Sequence, residues 1–155
     1  MNTPSSPKYS ILEAKQKLEA YCAYQERCDY EIRKKLRSWN MHHEDIDVLI
    51  ADLISNNFLN EERFAEAYVS GKFRIKRWGK LKIMRELKFR HISDYSIKKA
   101  MAQIDEEAYE QTAKDLMVYK ERISTFKNDW DRKIKIKRFL ASKGYENWLI
   151  NDLLA

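Results

Sequence analysis

Apolar residues recur along the chain in one frame that occurs three times. The frame reads I-x3-L-x3-[N/H/G]-Φ-x4-I-x2-ΦΦ, where Φ is apolar, and its copies begin at Ile32, Ile83 and Ile136. The second copy lies 51 residues after the first, and the third lies 53 residues after the second. Self-similarity at such a period is the signature of a repeat architecture. The alternative is three unrelated amphipathic helix pairs with similar spacing.

Each copy of the frame predicts two helices joined by a short turn. Its isoleucine and leucine, four residues apart, share one face of a helix. Four residues after the leucine comes Asn40, His91 or Gly144. These residue types tolerate the left-handed backbone conformation that closes a helix. An apolar residue follows, as such a closure requires, and a second apolar stripe then predicts the next helix.

A further helix precedes each pair. Asn60 is a good N-cap, and two glutamates follow it at the positive end of the helix dipole. Asp105 repeats this arrangement in the third copy, and Ser10 with Glu13 has the spacing of a capping box in the first. The predicted helices span residues 10–26, 29–39, 43–56, 61–77, 79–90, 94–104, 106–126, 131–143 and 146–155.

The segment FRIKRW, residues 73–78, alternates apolar and basic residues as a strand would. A helix is favoured because Phe64, Tyr68, Gly71 and Ile75 continue a spacing of three and four residues. Only three Gly and two Pro occur, which argues against a sandwich or barrel. We predict an all-α fold of three tandem three-helix repeats, stacked into an elongated, curved molecule. The predicted divisions are a disordered tail at 1–8 and repeats at 9–58, 59–104 and 105–155.

Composition and cysteine usage indicate the cellular context. The chain of 155 residues is 44% hydrophobic, enough for a core, and 35% charged. Cys22 and Cys28 would lie about 240° apart around a shared helix and could not pair there. We therefore expect a reduced, cytoplasmic protein, and we expect it to be a monomer. No signal peptide or membrane-spanning segment is expected, since the N-terminus is polar and no apolar run is long enough.

Positive charge is concentrated in one stretch of the chain. Residues 72–90 hold nine Lys or Arg against Glu86 alone, a local charge of +8 in a chain whose net charge is +6. The middle helix is basic in all three copies, and stacked repeats should align these helices into a positive stripe. Such a stripe suits a polyanionic partner. The alternative is an ordinary solvated helix face, although such faces mix both signs.

The residues predicted to bind the polyanionic partner are the cations of this stretch and of the third middle helix: Lys72, Arg74, Lys76, Arg77, Lys80, Lys82, Arg85, Lys88, Arg90, Lys133, Lys135, Lys137 and Arg138. Trp78 and Phe89 lie among them. Each could stack on a base or dock on a protein, and the alternative is packing against a neighbouring repeat. The four tryptophans are otherwise expected to be core anchors.

No catalytic or metal-binding constellation is found in the sequence. The Gly71–Lys72 pair lacks the remaining residues of a phosphate-binding loop. The histidines have no partners at zinc-ligand spacing, so His42 and His43 are expected to begin a helix and His91 to close one. We expect no enzyme activity, cofactor or metal.

The central segment resembles a known family. Residues 58–87, FLNEERFAEAYVSGKFRIKRWGKLKIMREL, look like the signature of the RecX family, bacterial regulators of RecA recombinase. EIRKKL at 31–36 is similar to the family's E-L-x-x-K-L. The resemblance covers roughly residues 15–155. It departs at His91, where the family usually has Gly, and at Cys28, where it usually has Ser.

The resemblance implies both a fold and a function. Tandem three-helix repeats agree with the predicted fold. The implied role is binding along the groove of a RecA–single-stranded DNA filament in DNA repair, homologous recombination and the SOS response. There the protein would inhibit ATP hydrolysis, strand exchange and filament growth without being an enzyme. Family members differ in whether they bind DNA, recombinase or both, so the basic residues listed above are predicted to contact either DNA or recombinase. The expected DNA is single-stranded, with double-stranded DNA as an alternative. The alternatives are a general nucleic-acid-binding helical protein with no recombinase partner and a pure protein scaffold.

Overall fold

The structure, a computed structural model, describes residues 6–155. Throughout that range the regular structure is helical, which confirms the predicted all-α repeat fold. The helices are α1 Ile11–Tyr24, α2 Asp29–Ser38, α3 His43–Ser55, α4 Glu61–Arg74, α5 Lys80–Phe89, α6 Asp94–Met101, α7 Glu106–Ile123, α8 Asp129–Lys143 and α9 Asn147–Leu154. The predicted tail at 1–8 lies mostly outside the described residues. At its end, the Lys8 amide donates to the Trp39 carbonyl at 2.8 Å.

The predicted helix starts are confirmed by their caps. Ser10 and Glu13 form a reciprocal capping box, and the side chains of Asn60 and Asp105 accept hydrogen bonds from the amides three residues later. Cys28 makes no such bond to the backbone at the start of α2. α4 ends at Arg74, three residues earlier than predicted, so the FRIKRW segment is the end of a helix and a turn rather than a strand.

The three middle helices, α2, α5 and α8, close in the same way. Asn40, His91 and Gly144 have backbone φ angles of 56°, 59° and 101°, which confirms the predicted left-handed closure. In each copy the next residue donates its amide to the carbonyl of the frame's leucine at 3.1 Å. This bond ties up a carbonyl that the end of a helix would otherwise leave without a partner.

The apolar residues of the frame form two cores. Helices α1 to α3 enclose a core around Leu18, Ile32 and Leu36. Helices α4 to α9 share a second core, whose largest buried side chains are Tyr109 and Tyr145. The second and third helix triplets are therefore joined by a continuous core.

The second and third triplets meet at the Gly79–Gly144 junction. The Gly79 amide donates to the Lys143 carbonyl at 2.7 Å, and the Leu81 amide donates to the Gly144 carbonyl at 3.0 Å. The end of α8 thus supplies acceptors to the start of α5, and each helix end satisfies groups that the other leaves unpaired. A Cβ atom on Gly79 would lie 2.3 Å from the Gly144 carbonyl carbon. The two backbones could not approach so closely with a side chain there.

Two buried tyrosines hold this junction. The Tyr109 hydroxyl accepts a hydrogen bond from the Lys80 amide at 2.9 Å and donates to the Glu146 carboxylate. The Tyr145 hydroxyl donates to the Arg77 carbonyl at 2.9 Å. Burial raises the pKa of both phenols, so both stay protonated and able to donate at neutral pH.

The first and second triplets meet at an equivalent place, the Cys28–His91 junction, which is built differently. Cys28 and His91 stand 51 and 53 residues before Gly79 and Gly144. Among residues 6–155 no backbone hydrogen bond crosses this junction. Instead, the Tyr30 ring lies edge-on to Phe89 at 5.3 Å and 5.9 Å from the His91 ring. The three middle helices therefore follow one another end to end in the order α8, α5, α2.

Candidate nucleic-acid interface

The three middle helices, which meet end to end, form one row. The row contains 15, 10 and 10 helical residues, or about 50 Å of helix at 1.5 Å per residue. The isoleucine and leucine of each frame are buried, so the row turns this face inward. Of the remaining positions, Tyr30, Met84 and Phe139 pack partly against the core, and the others are exposed or partly exposed.

One outward position is basic in every repeat. It lies two residues after the frame's isoleucine and is occupied by Lys34, Arg85 and Arg138. All three side chains are exposed, and none forms an ion pair within residues 6–155. Lys34 is absent from the predicted set, although the repeat frame itself identifies it. The three cations make up an evenly repeated feature, one on each helix of the row.

Most of the other predicted binding residues are also outside ion pairs in the described part of the chain. They lie at the end of α4, in the turn after it, and along α5 and α8: Lys72, Arg74, Lys76, Arg77, Lys82, Arg85, Lys88, Lys137 and Arg138. Cations without a protein carboxylate partner are the ones free to neutralise phosphates or acidic side chains of another molecule.

Four predicted binding residues contact carboxylates of their own chain. Lys80 lies 2.5 Å from Glu106, Arg90 lies 3.0 Å from Glu86, and Lys135 lies 3.1 Å from Asp131. Lys133 is 3.6 Å from Asp129, a longer contact. The side chains of Lys80 and Arg90 are only 20% and 22% exposed. We therefore assign these two residues a mainly structural role.

The aromatic residues of the basic stretch differ in their surroundings. Trp78 is half-buried in the turn before α5, and the ammonium groups of Lys72 and Lys82 lie 4.8 and 4.4 Å from the centre of its ring. Cation–π contacts of this kind hold lysine side chains close together despite their like charge. Phe89 is 60% exposed although one edge contacts Tyr30. Trp78 therefore organises the basic cluster before α5, and Phe89 is accessible at the other end of that helix.

A groove of about 350 Å³ opens beside this cluster, between the first and second triplets. Gly71, Lys72 and Lys76 line one part of it, and Glu26 and Arg90 line another. The buried Glu26 Oε2 and Arg90 Nε atoms have no hydrogen-bond partner. The groove thus mixes both signs of charge, unlike the outward faces of the middle helices.

Two tryptophans contradict the expectation that all four are core anchors. Trp39 is buried, but Trp130 is 73% exposed and Trp148 is 51% exposed. Trp130 lies in the first turn of α8, which begins two residues earlier than predicted. The apolar frame includes neither residue, but it also omits the buried Trp39, so the frame alone could not have separated the buried from the exposed tryptophans.

Other kinds of site find little support in the described residues. Within residues 6–155, no group of three His, Cys, Asp or Glu side chains is arranged to hold a metal ion. None of the helices described there is both long and apolar enough to cross a membrane. His42 occupies the N-cap position of α3 without a side-chain hydrogen bond, His43 is the first residue of that helix, and His91 closes α5, as predicted.

Taken together, the fold and surface define a helical-repeat protein with a basic face. The family model that describes the second three-helix domain of RecX matches residues 60–101. Regulatory protein RecX of Herminiimonas arsenicoxydans is 28% identical over 127 residues, which cover 82% of this chain and 81% of that protein. Regulatory protein RecX of Clostridium perfringens is 31% identical over 130 residues, covering 83% of this chain and 60% of that protein.

Solved structures show the same fold. The crystal structure of RecX from Lactobacillus salivarius matches with a TM-score of 0.74 and 24% identity, covering 93% of this chain and 94% of that one. A second crystal structure, of regulatory protein RecX, matches with a TM-score of 0.83 and 22% identity over 92% of this chain and 72% of that one. The chain belongs to the RecX family.

Proposed function

We propose that this protein binds a RecA–single-stranded DNA filament and inhibits the recombinase, reducing its ATP hydrolysis, strand exchange and filament growth. It would act by binding alone. Membership of a family of regulatory proteins supports this role. The observation that carries the proposal is the row of middle helices with an exposed, unpaired cation at the same position of each: Lys34, Arg85 and Arg138.

A row of this kind suits a filament better than a compact partner. Single-stranded DNA in a filament presents phosphates at regular intervals along an extended path. About 50 Å of helix with cations on each segment can follow such a path and release counterions at several points. The tight Gly79–Gly144 junction keeps α5 and α8 in a fixed relation, so their cations are presented together. We place the DNA-facing surface on α2, α5, α8 and the turn around Trp78.

The decisive experiment is a titration of the protein into RecA hydrolysing ATP on single-stranded DNA. The wild type is expected to inhibit at stoichiometric levels. Charge reversal by Arg85→Glu together with Arg138→Glu should weaken inhibition strongly. The matched control is Lys114→Glu with Lys98→Glu, which makes the same charge change at exposed, unpaired positions on α7 and α6.

The outcomes separate the candidate functions. Loss of inhibition only in the Arg85/Arg138 variant supports the proposal. Absence of inhibition by the wild type, even in excess, would remove it. If the wild type binds naked DNA tightly yet leaves RecA unaffected, the protein is a general nucleic-acid-binding protein. If the charge-reversed protein inhibits as well as the wild type, the basic row is not the binding surface.

A further inference from the structure

A large aromatic side chain stands in solvent at the start of α8. Trp130 is 73% exposed, and among the described residues its ring forms no aromatic pair and no cation–π contact. Burying a tryptophan usually contributes strongly to a core or an interface. Because Trp130 contributes to no core here, its exposed ring is available to an incoming flat ligand.

Trp130 lines a groove between α8 and α9 with a volume of about 350 Å³. Residues three, four and seven positions after Trp130 share its face of α8. The lining residues are Trp130, Lys133, Ile134 and Lys137 from α8 and Asn151 and Leu154 from α9. The groove therefore combines an aromatic ring, an apolar floor, two ammonium groups and one side-chain amide.

The charge in the groove favours an anion. Lys137 forms no ion pair within residues 6–155, and Lys133 makes only the 3.6 Å contact with Asp129. Asp129 is exposed, so solvent screens this pair, and Lys133 can turn toward another anion. The next acid along α8, Asp131, is 3.1 Å from Lys135 rather than from the groove lysines.

We propose that Trp130 is a stacking platform for an unpaired base of single-stranded nucleic acid, with Lys133 and Lys137 contacting the adjoining phosphates. Every base has a π-face, so an exposed indole binds bases with little sequence preference. The amide of Asn151 can donate to and accept from a base edge. This inference deepens the proposed function, and it rests on that function for the single-stranded DNA inside the filament.

The second exposed tryptophan provides the comparison within the same molecule. Trp148 is 51% exposed, but on its face of α9 the residue four positions later is Asp152. A carboxylate beside the ring repels the phosphates that accompany a base. Exposure alone therefore does not make the platform; the cations beside Trp130 distinguish it.

The test is a binding titration of the full chain with a short oligothymidylate at low salt, read by intrinsic fluorescence and by anisotropy of a labelled oligonucleotide. Trp130→Ala is expected to weaken binding by about five-fold or more, the effect of losing one stacked base. Trp148→Ala should bind as the wild type does. Quenching of fluorescence by the oligonucleotide should fall in Trp130→Phe, whose smaller ring still permits stacking, and the quenching that remains should come from Trp78 in the DNA-facing surface. This second reading does not depend on a large loss of affinity.

Several results would overturn the platform. Unchanged affinity in Trp130→Ala with unchanged quenching in Trp130→Phe would do so, as would equal losses in the Trp130 and Trp148 variants. If sedimentation shows a wild-type dimer that Trp130→Ala dissociates, the groove serves a second copy of this chain instead. Inhibition of RecA is measured in parallel. Inhibition without any effect of Trp130 refutes only the platform, whereas base stacking without inhibition refutes only the proposed filament function.

Discussion

The amide of Gly79 donates to the carbonyl of Lys143 across 2.7 Å, joining the start of α5 to the end of α8. The negative end of one helix dipole therefore meets the positive end of another, and orphan groups of both helices are paired. A side chain at position 79 would push these helices apart. The contact explains why one of only three glycines in the chain is found there.

Replacing Gly79 with Ala is expected to destabilise the protein by about 2–3 kcal/mol. The new Cβ would overlap the Gly144 backbone at 2.3 Å, and forcing extra atoms into a packed contact has a cost of this order. Urea unfolding measured by circular dichroism gives the free energy. The control is Gly71→Ala, because nothing lies within 4 Å of a Cβ there. As Gly71 is inside α4, that change should add about 0.5–1 kcal/mol, and equal losses in both variants would contradict the account.

Removing the hydroxyl of Tyr109 tests the second set of contacts at this junction. Tyr109→Phe should lower the free energy of unfolding by roughly 1–3 kcal/mol, because it leaves the Lys80 amide without its acceptor and Glu146 without its donor. Tyr119→Phe is the matched control, since Tyr119 is exposed and its hydroxyl forms no hydrogen bond within residues 6–155. That variant is expected to stay within about 0.5 kcal/mol of the wild type. Similar stabilities for the two variants would show that the Tyr109 hydroxyl does not hold the junction.

Backbone hydrogen exchange should differ between the two junctions. The amides of Gly79 and Leu81 donate across the Gly79–Gly144 junction. The equivalent amides, of Cys28 and Tyr30, have no such acceptor at the Cys28–His91 junction. We expect slow exchange for the first pair and fast exchange for the second, because protection requires a stable hydrogen bond. Exchange measured by NMR on the intact chain gives both rates, and equal protection would argue against a difference in rigidity.

Much of the fold could be predicted from the sequence because the threefold frame records the buried face of each middle helix directly. The caps at Ser10, Asn60 and Asp105 and the closures at His91 and Gly144 are local features, determined by one residue type and its neighbours. Such signals do not depend on distant parts of the chain, which is why they were predicted correctly.

The junctions could not be predicted because they join residues far apart in sequence. Nothing local to Tyr109 shows that its hydroxyl contacts Lys80, and the closeness of Gly79 to Gly144 depends on how two triplets pack. The candidate site was affected in the same way. Charge density identified Lys80, but only the folded chain shows that the distant Glu106 pairs with it. The pairing of Arg90 with Glu86, four residues earlier, is a local feature that the sequence already shows. Lys34 was missed because α2 also contains Asp29 and Glu31, so its net positive charge is lower than that of α5.

The thiol of Cys28 is expected to react slowly in the native protein. Burial raises its pKa from 9.0 to about 12, and the thiolate is the reactive form. The raised pKa favours the folded state below pH 9, and that contribution is lost as the pH rises from 9 toward 12. Alkylation of Cys28 at pH 8, measured in the Cys22→Ala variant, should be far slower than alkylation of an exposed reference thiol. The reference is Ser142→Cys in a chain from which both native cysteines have been removed. Equal rates would mean that the Cys28–His91 junction opens freely.

Binding to single-stranded DNA is expected to weaken steeply with salt, because each neutralised phosphate releases counterions. With about 4–6 phosphates contacted, the log–log slope should be about −3 to −4. Replacing Lys34, Arg85 and Arg138 together with Ala should make the slope shallower by about 2, since each lost contact removes about 0.7. Lys98→Ala with Lys114→Ala, at exposed positions on α6 and α7, should leave the slope nearly unchanged. Anisotropy titrations across a salt series measure both variants. An unaltered slope in the triple variant would show that this repeated position does not face the phosphates, and a flat response in the wild type would exclude an electrostatic DNA interface altogether.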